Sequence, residues 1–246
     1  MNSDTSVRMD AETLRSFGRQ IYGHEIWLDA VEKEGTEISV LGLYGHKMVP
    51  DNPMPTDYAN VILYDDKGLT DKPDREIISE PHGWKFYFED KGAEVYTIYI
   101  DSNSTWVTDE EGWHRGVKRD FDKVKYSGAF NMLAKRIISK NGANPGNVVH
   151  GALEIMPNRS ILEVGKDAKL QILYEGKPKA GVKVVCFRKG DDQLDNRSSD
   201  ADGMLVYPIK EKGTYMFIAK YMDTNKKVDD EFDETGFTMT LTLEAE

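Results

Sequence analysis

Five histidines and a single cysteine carry most of the ligand chemistry this chain can offer, and two of the histidines sit in matching settings. Tyr-Gly-His occurs as Tyr22-Gly23-His24 in Y-G-H-E-I-W-L and again as Tyr44-Gly45-His46 in Y-G-H-K-M-V-P. Neutral imidazole suits nickel, cobalt, copper and zinc. Each copy borders a run that reads as a β-strand. If the two strands pair antiparallel, His24 and His46 fall at the same end of a sheet, where neighbouring strands lie about 4.8 Å apart. The glycine before each histidine lets the backbone turn and leaves room beside the ring. The competing reading is a turn-edge motif with two exposed imidazoles.

The other ligand-type residues read as structural. His82, in E-P-H-G-W, sits in a Pro/Gly turn. His150, in V-V-H-G-A-L-E, stands at a junction between segments, where a structural hydrogen bond is the expected role, with Glu154 nearby as a possible co-ligand. Glu25 follows His24 and points to the opposite strand face, as a surface charge or a supporting group. Met48 and Met54 flank a proline-rich loop; thioethers favour Cu(I), but packing is the simpler role. Cys186, in V-K-V-V-C-F-R-K, shares a strand face with Val182 and Val184 and reads as a small buried hydrophobe. One cysteine forms no intrachain disulfide and excludes zinc sites built from several thiolates.

No catalytic set appears. The sequence contains no G-x-S-x-G, H-E-x-x-H, P-loop or Rossmann glycine run. Asp200 and Asp202 in D-A-D-G lack the spaced acids of a calcium loop and read as a plain turn. The chain is therefore expected to bind rather than to catalyse. With 32 basic and 43 acidic residues its formal charge is −11, which disfavours nucleic acid and anionic lipid as partners. No run of about eighteen apolar residues exists, so no transmembrane helix is expected. The first residues lack the apolar core of a signal peptide.

The elements that must position these residues are mostly strands. Asp10 to Gln20 carries a helical pattern, and residues 1–22 read as a leader or helical segment. E-I-W-L-D-A-V, T-E-I-S-V-L-G-L-Y, N-V-I-L-Y-D, W-K-F-Y-F-E and E-V-Y-T-I-Y-I-D read as strands, the last two as a hairpin with aromatic cross-strand pairs. Their aromatics (Trp84, Phe86, Phe88, Tyr96) serve a core or, alternatively, stack a sugar. V-P-D-N-P-M-P-T-D cannot be a central strand. Within Asp120–Lys140, Phe130, Leu133, Ala134, Ile137 and Ile138 recur at helical spacing, which predicts an amphipathic helix. K-N-G-A-N-P-G then marks a boundary. Six to seven short strands with regular turns follow, the pattern of a β-sandwich. The expected fold is mainly β: two sandwich domains, residues 23–145 with one helix and residues 146–246, the second Ig-like or transthyretin-like.

In the order of its motifs the chain resembles a family of domains of unknown function associated with the extracytoplasmic component of bacterial and archaeal cobalt/nickel uptake systems. The matching pieces are His24-Glu25-Ile26-Trp27-Leu28, Gly45-His46 with Pro50, and Gly112-Trp113. Phe130 with Ala134-Lys135, Gly151-Ala152-Leu153-Glu154-Ile155-Met156-Pro157, Gly176-Lys177-Pro178 and Asp200-Ala201-Asp202-Gly203 complete the set. One departure is that the family's first histidine lies near the mature N-terminus, whereas 23 residues precede His24 here. The resemblance implies a periplasmic or extracellular protein that captures Ni2+ or Co2+, with Zn2+ and Cu2+ as chemically compatible ions, for a membrane metal-transport complex. It implies His24 and His46 as ligands, and it makes His114, beside the Gly-Trp element, the third. The alternative from a different class is a surface adhesion or carbohydrate-binding module without metal.

Overall fold

The computed structural model describes residues 24–51, 59–191 and 195–246. The helix expected over Asp10–Gln20 and the side chain of Met54 lie outside these residues. In chain order the first strands are β1 (Glu25–Glu34), β2 (Glu37–His46), β3 (Val49–Pro50), β4 (Ala59–Tyr64), β5 (Thr70–Asp71), β6 (Asp74–Ser79), β7 (His82–Glu89), β8 (Val95–Thr108), β9 (Trp113–Arg115) and β10 (Tyr126–Ser139). They are followed by β11 (Leu153–Pro157), β12 (Ile161–Leu162), β13 (Asp167–Tyr174), β14 (Lys177–Pro178), β15 (Lys183–Arg188), β16 (Asp195–Ser198), β17 (Met204–Pro208), β18 (Gly213–Asp223) and β19 (Glu234–Ala245). Among the described residues the helical content is one 3-10 turn, Lys118–Asp120.

The strands form three sheets. One contains β1-β2-β7-β6, with β3 on β2. A ten-stranded sheet runs β16-β15-β18-β19-β10-β8-β4-β5, with β12 on β19 and β9 on β8. The third is β11-β13-β14, with β17 on β13. The large sheet crosses the expected boundary at residues 141–146, because β10 pairs with β19 in parallel from Gly128↔Glu234 to Arg136↔Thr242. The fold is mainly β and layered as a sandwich, as the strand pattern predicts.

Two expectations are corrected. The helix expected within Asp120–Lys140 is the strand β10, which lies between β8 and β19 at the centre of the large sheet. Both of its faces are covered: Leu133 and Ile137 enter one core, Met132 and Ala134 another. A strand buried on both faces loses the polar alternation that marks half-buried strands, and its apolar run then matches helical spacing equally well. The hairpin expected between W-K-F-Y-F-E and E-V-Y-T-I-Y-I-D does not form. β7 pairs with β2 and β6, β8 with β10 and β4, and the D-K-G-A link passes from one sheet to the other. Phe88 and Tyr96 therefore meet across the gap between sheets, ring centres 5.1 Å apart.

Three cores follow. The largest lies between the large sheet and the third sheet and holds Leu153, Ile155, Val182, Val184, Cys186 and Phe217. A second, between the first sheet and the β4-β8-β10 region, holds Ile26, Leu28, Trp84, Phe86, Ile98 and Ile100. The third clamps the site-bearing end of β1 and β2: Trp27, Leu43 and Met48 pack on Phe187, Met216 and Ile218. Full burial of such side chains stabilises by roughly 1.5–3 kcal/mol each. The β1–β2 end is thus held against the large sheet, with Thr240 Oγ1 donating to Ile26 O at 2.7 Å.

Candidate metal centre

The site begins with register. β1 and β2 pair antiparallel, and Glu25 lies opposite Gly45, so the next position outward sets His24 opposite His46. Their ring centres are 4.0 Å apart. Tyr44, one pleat inward on the same face, stacks on His24 at 4.9 Å with planes 16° apart and fixes its orientation.

A tight hairpin supplies the third member. His46 pairs with Val49 and Gly45 with Pro50, leaving Lys47 and Met48 as a two-residue turn. Both have positive φ, 49° and 60°, the geometry of a type I′ turn. Such conformations in non-glycine residues cost on the order of 1–3 kcal/mol each and persist only when the surroundings impose them. Met48 is buried in the third core, and the Lys47 N–H donates to the Glu25 carboxylate. Gly45 is required where the returning strand crosses it: a Cβ there would lie 2.1 Å from Val49 O and 2.9 Å from Asp51 N. The chain then delivers Asp51, whose N–H reaches Tyr44 O at 3.3 Å.

Asp51 faces both rings, with Oδ2 2.5 Å from His46 Nδ1 and Oδ1 3.5 Å from His24 Nε2. One ligand atom from each of His24, His46 and Asp51 lies within 4.8 Å of the others, the one such group of three among the described residues. Metal–imidazole and metal–carboxylate bonds of about 2.0–2.2 Å place ligand atoms roughly 3–4 Å apart. The two nitrogens and one oxygen of the group are a donor set that suits a first-row divalent cation. Side-chain exposures of 28%, 47% and 38% leave the remaining coordination positions open to solvent.

The electrostatics favour neutral imidazole at His24. Its pKa is lowered, chiefly by burial, then by His46 and by Lys220, against an upward pull from Asp51. Of the two roles expected of Glu25, surface charge or supporting group, the structure shows the second, since its carboxylate accepts the Lys47 N–H of the turn. It is buried, and burial pushes its pKa up while Lys220, 3.5 Å away, opposes the shift.

The structure brings His24 and His46 together and leaves His114 out. His114 lies on β9, with Nε2 3.1 Å from Asp109 Oδ1 and its ring stacked on Phe121 at 5.5 Å. His82 is exposed at the β6–β7 turn, paired with Ser79. His150 is exposed in a left-handed backbone conformation. Glu154 does not serve it, because that carboxylate is buried against Lys135. Trp84, Phe86 and Tyr96 are buried in the core, and half-buried Phe88 packs on Tyr96. Asp51 was missed by sequence reasoning; the signal was a glycine facing a proline across a two-residue turn, which carries the next residue back to the histidines.

A mainly β sandwich with an exposed, preformed imidazole–carboxylate group defines the class of protein. The chain belongs to the family described as Domain of unknown function (DUF4198), whose model matches residues 21–223. A search of curated proteins returns no match. Among solved structures, murine CEACAM1b is similar at 12% identity, covering 91% of this chain and 98% of that one, with a TM-score of 0.23. A fragment of Escherichia coli alpha-2-macroglobulin is similar at 12% identity, covering 90% and 73%, with a TM-score of 0.23. A Dscam structure aligns at 11% identity, covering 90% and 72%, with a TM-score of 0.20. At these scores the likenesses carry no argument about fold or function. Among the described residues no helix is long and apolar enough to cross a membrane.

Proposed function

We propose that this protein binds a first-row divalent metal ion at His24, His46 and Asp51, and that it captures Ni(II) or Co(II) outside the cytoplasm for a membrane uptake system. The observation that carries the reading is the convergence of three donor side chains on one solvent-facing point. The preference for nickel or cobalt and the uptake role rest on the motif resemblance. The protein performs no bond chemistry in this reading; affinity and selectivity are its working quantities. Imidazole sites bind copper most tightly in the absence of other constraints, so selectivity comes from geometry and from metal supply.

The test is isothermal titration of chelator-stripped protein with Ni(II), Co(II), Cu(II) and Zn(II), repeated on His24→Ala and His46→Ala. The reading predicts one saturable site that each substitution weakens at least about 100-fold and that His114→Ala leaves intact. Absence of saturable heat with all four ions would overturn it.

A further inference from the structure

The face of the large sheet on which β1 packs continues past the start of that strand. Residues paired directly across strands share a face. The pairs Trp106↔Gly128, Phe130↔Gly236 and Met222↔Gly236 therefore form one aromatic and thioether surface across β8, β10, β19 and β18. Two glycines make room for its central ring: a Cβ at Gly128 would lie 2.4 Å from Phe130 Cζ, and one at Gly236 would lie 2.9 Å from Phe130 Cδ1. An apolar groove of about 360 Å³ runs along this surface, lined by Phe130, Met132 and Met222. Trp106 and Met222 are only half-buried.

The chain enters β1 at the edge of this groove. Ile26 O accepts from Thr240, and Glu25 pairs with Lys220 at 3.5 Å. On that face the successive cross-strand pairs are Ile218↔Thr240, Lys220↔Thr238 and Met222↔Gly236. Followed backward, β1 thus advances from the first pair to the second, and the third is the groove. The residues before His24 leave β1 there. Their sequence carries a matching surface. The helical pattern of Asp10–Gln20 sets Leu14, Phe17 and Ile21 on one side, with Glu12, Ser16 and Arg19 on the other. So short an amphipathic helix is marginal alone in water and takes its stability from packing. Its length would be roughly 16 Å, and the three strand spacings from β18 to β8 cover about 14 Å. Ile21 lies four residues before Glu25, a connection that reaches about 14 Å at most.

We infer that this face is the docking surface of the chain's own N-terminal segment, with Leu14, Phe17 and Ile21 set against Phe130, Met132 and Met222. The segment acts as a strap over the end of the large sheet that β1 leaves open. Residues 10–21 then belong to the folded unit rather than to a leader. The inference uses none of the three metal donors and stands apart from the metal reading.

The experiment is photo-crosslinking of the full chain with benzoylphenylalanine in place of Phe17, with the links mapped by peptide mass spectrometry. The expected result is a link within one chain to Phe130, Met132 or Met222. Adding Leu14→Lys should lower the yield of that link at least about tenfold, because an ammonium group is not buried unpaired among apolar side chains. The parent link map decides the matter without any change to the sheet. Links between two chains would give the surface to a second copy and overturn the inference. Links elsewhere in the same chain, no link, or a yield indifferent to Leu14→Lys would overturn it as well.

Discussion

Two ionic clusters in this molecule are built from similar groups and do opposite things. At the open end of β1 and β2, His24, His46 and Asp51 converge in partial exposure, and Asp51 faces two imidazoles that are charged only when protonated. At the centre of the fold, Lys135 and Glu154 meet at 2.8 Å with exposures of 0% and 1%. Lys135 Nζ also reaches Asn147 O and Met156 Sδ, and Glu154 Oε1 accepts the Val149 N–H. The buried cluster contains its own cation and joins β10 to β11 across the two halves of the chain. In the metal-binding reading proposed above, the exposed cluster offers lone pairs to a cation from outside. Position relative to solvent, more than residue type, separates a structural pair from a ligand-binding group.

The comparison is broken most severely at the buried pair. Glu154→Ala leaves the lysine ammonium uncompensated, and Lys135 already has its pKa lowered by burial. Loss of about 3–5 kcal/mol is expected from urea denaturation, with Lys135→Met/Glu154→Leu recovering much of it. Next comes Gly45→Ala. The added Cβ collides with backbone at Val49 and Asp51, so the hairpin must shift and Asp51 leaves the histidines. Nickel affinity should drop far more steeply than the melting temperature, as paired titration and thermal scans would show.

His46→Ala sharpens the contrast from the other side. Stability should change by no more than about 0.5 kcal/mol, the usual range for exposed positions. Nickel affinity should fall at least about 100-fold, beyond the loss typical of supporting groups around a metal. The smallest effect is that of pH. The folded pKa of His24 lies below the ordinary histidine value of 6.5, chiefly through burial, so the unfolded state binds more protons just under that value. Stability from this group is complete above pH 6.5 and declines as pH falls through the lower folded pKa. Metal affinity should weaken over the same interval, and a titration series from pH 7.5 to 5 (about two units below neutrality) would record it.

Much of this was legible in the sequence for physical reasons that can be named. The β1–β2 pairing and the meeting of His24 with His46 follow from two strand patterns separated by a short polar turn. Val182, Val184 and Cys186 alternate and are buried, as their spacing requires. β10 was illegible because burial on both faces erased its alternation. Its Lys135 read as part of a helix, although Ala134-Lys135 and Leu153-Glu154 lie in two motifs of the resemblance and form the buried pair. Asp51 was hidden because its position depends on a turn whose central residues, Lys47 and Met48, are not the glycine or asparagine that announce positive φ. What holds that turn is Met48 in a core assembled from β15 and β18, more than 130 residues away in sequence.

The most direct test of the central claim is X-ray absorption of the nickel-loaded protein, compared between the parent chain and His46→Ala. The account predicts scattering from two imidazoles in the parent and from one in the variant. Bound nickel with no imidazole in its coordination sphere would contradict it.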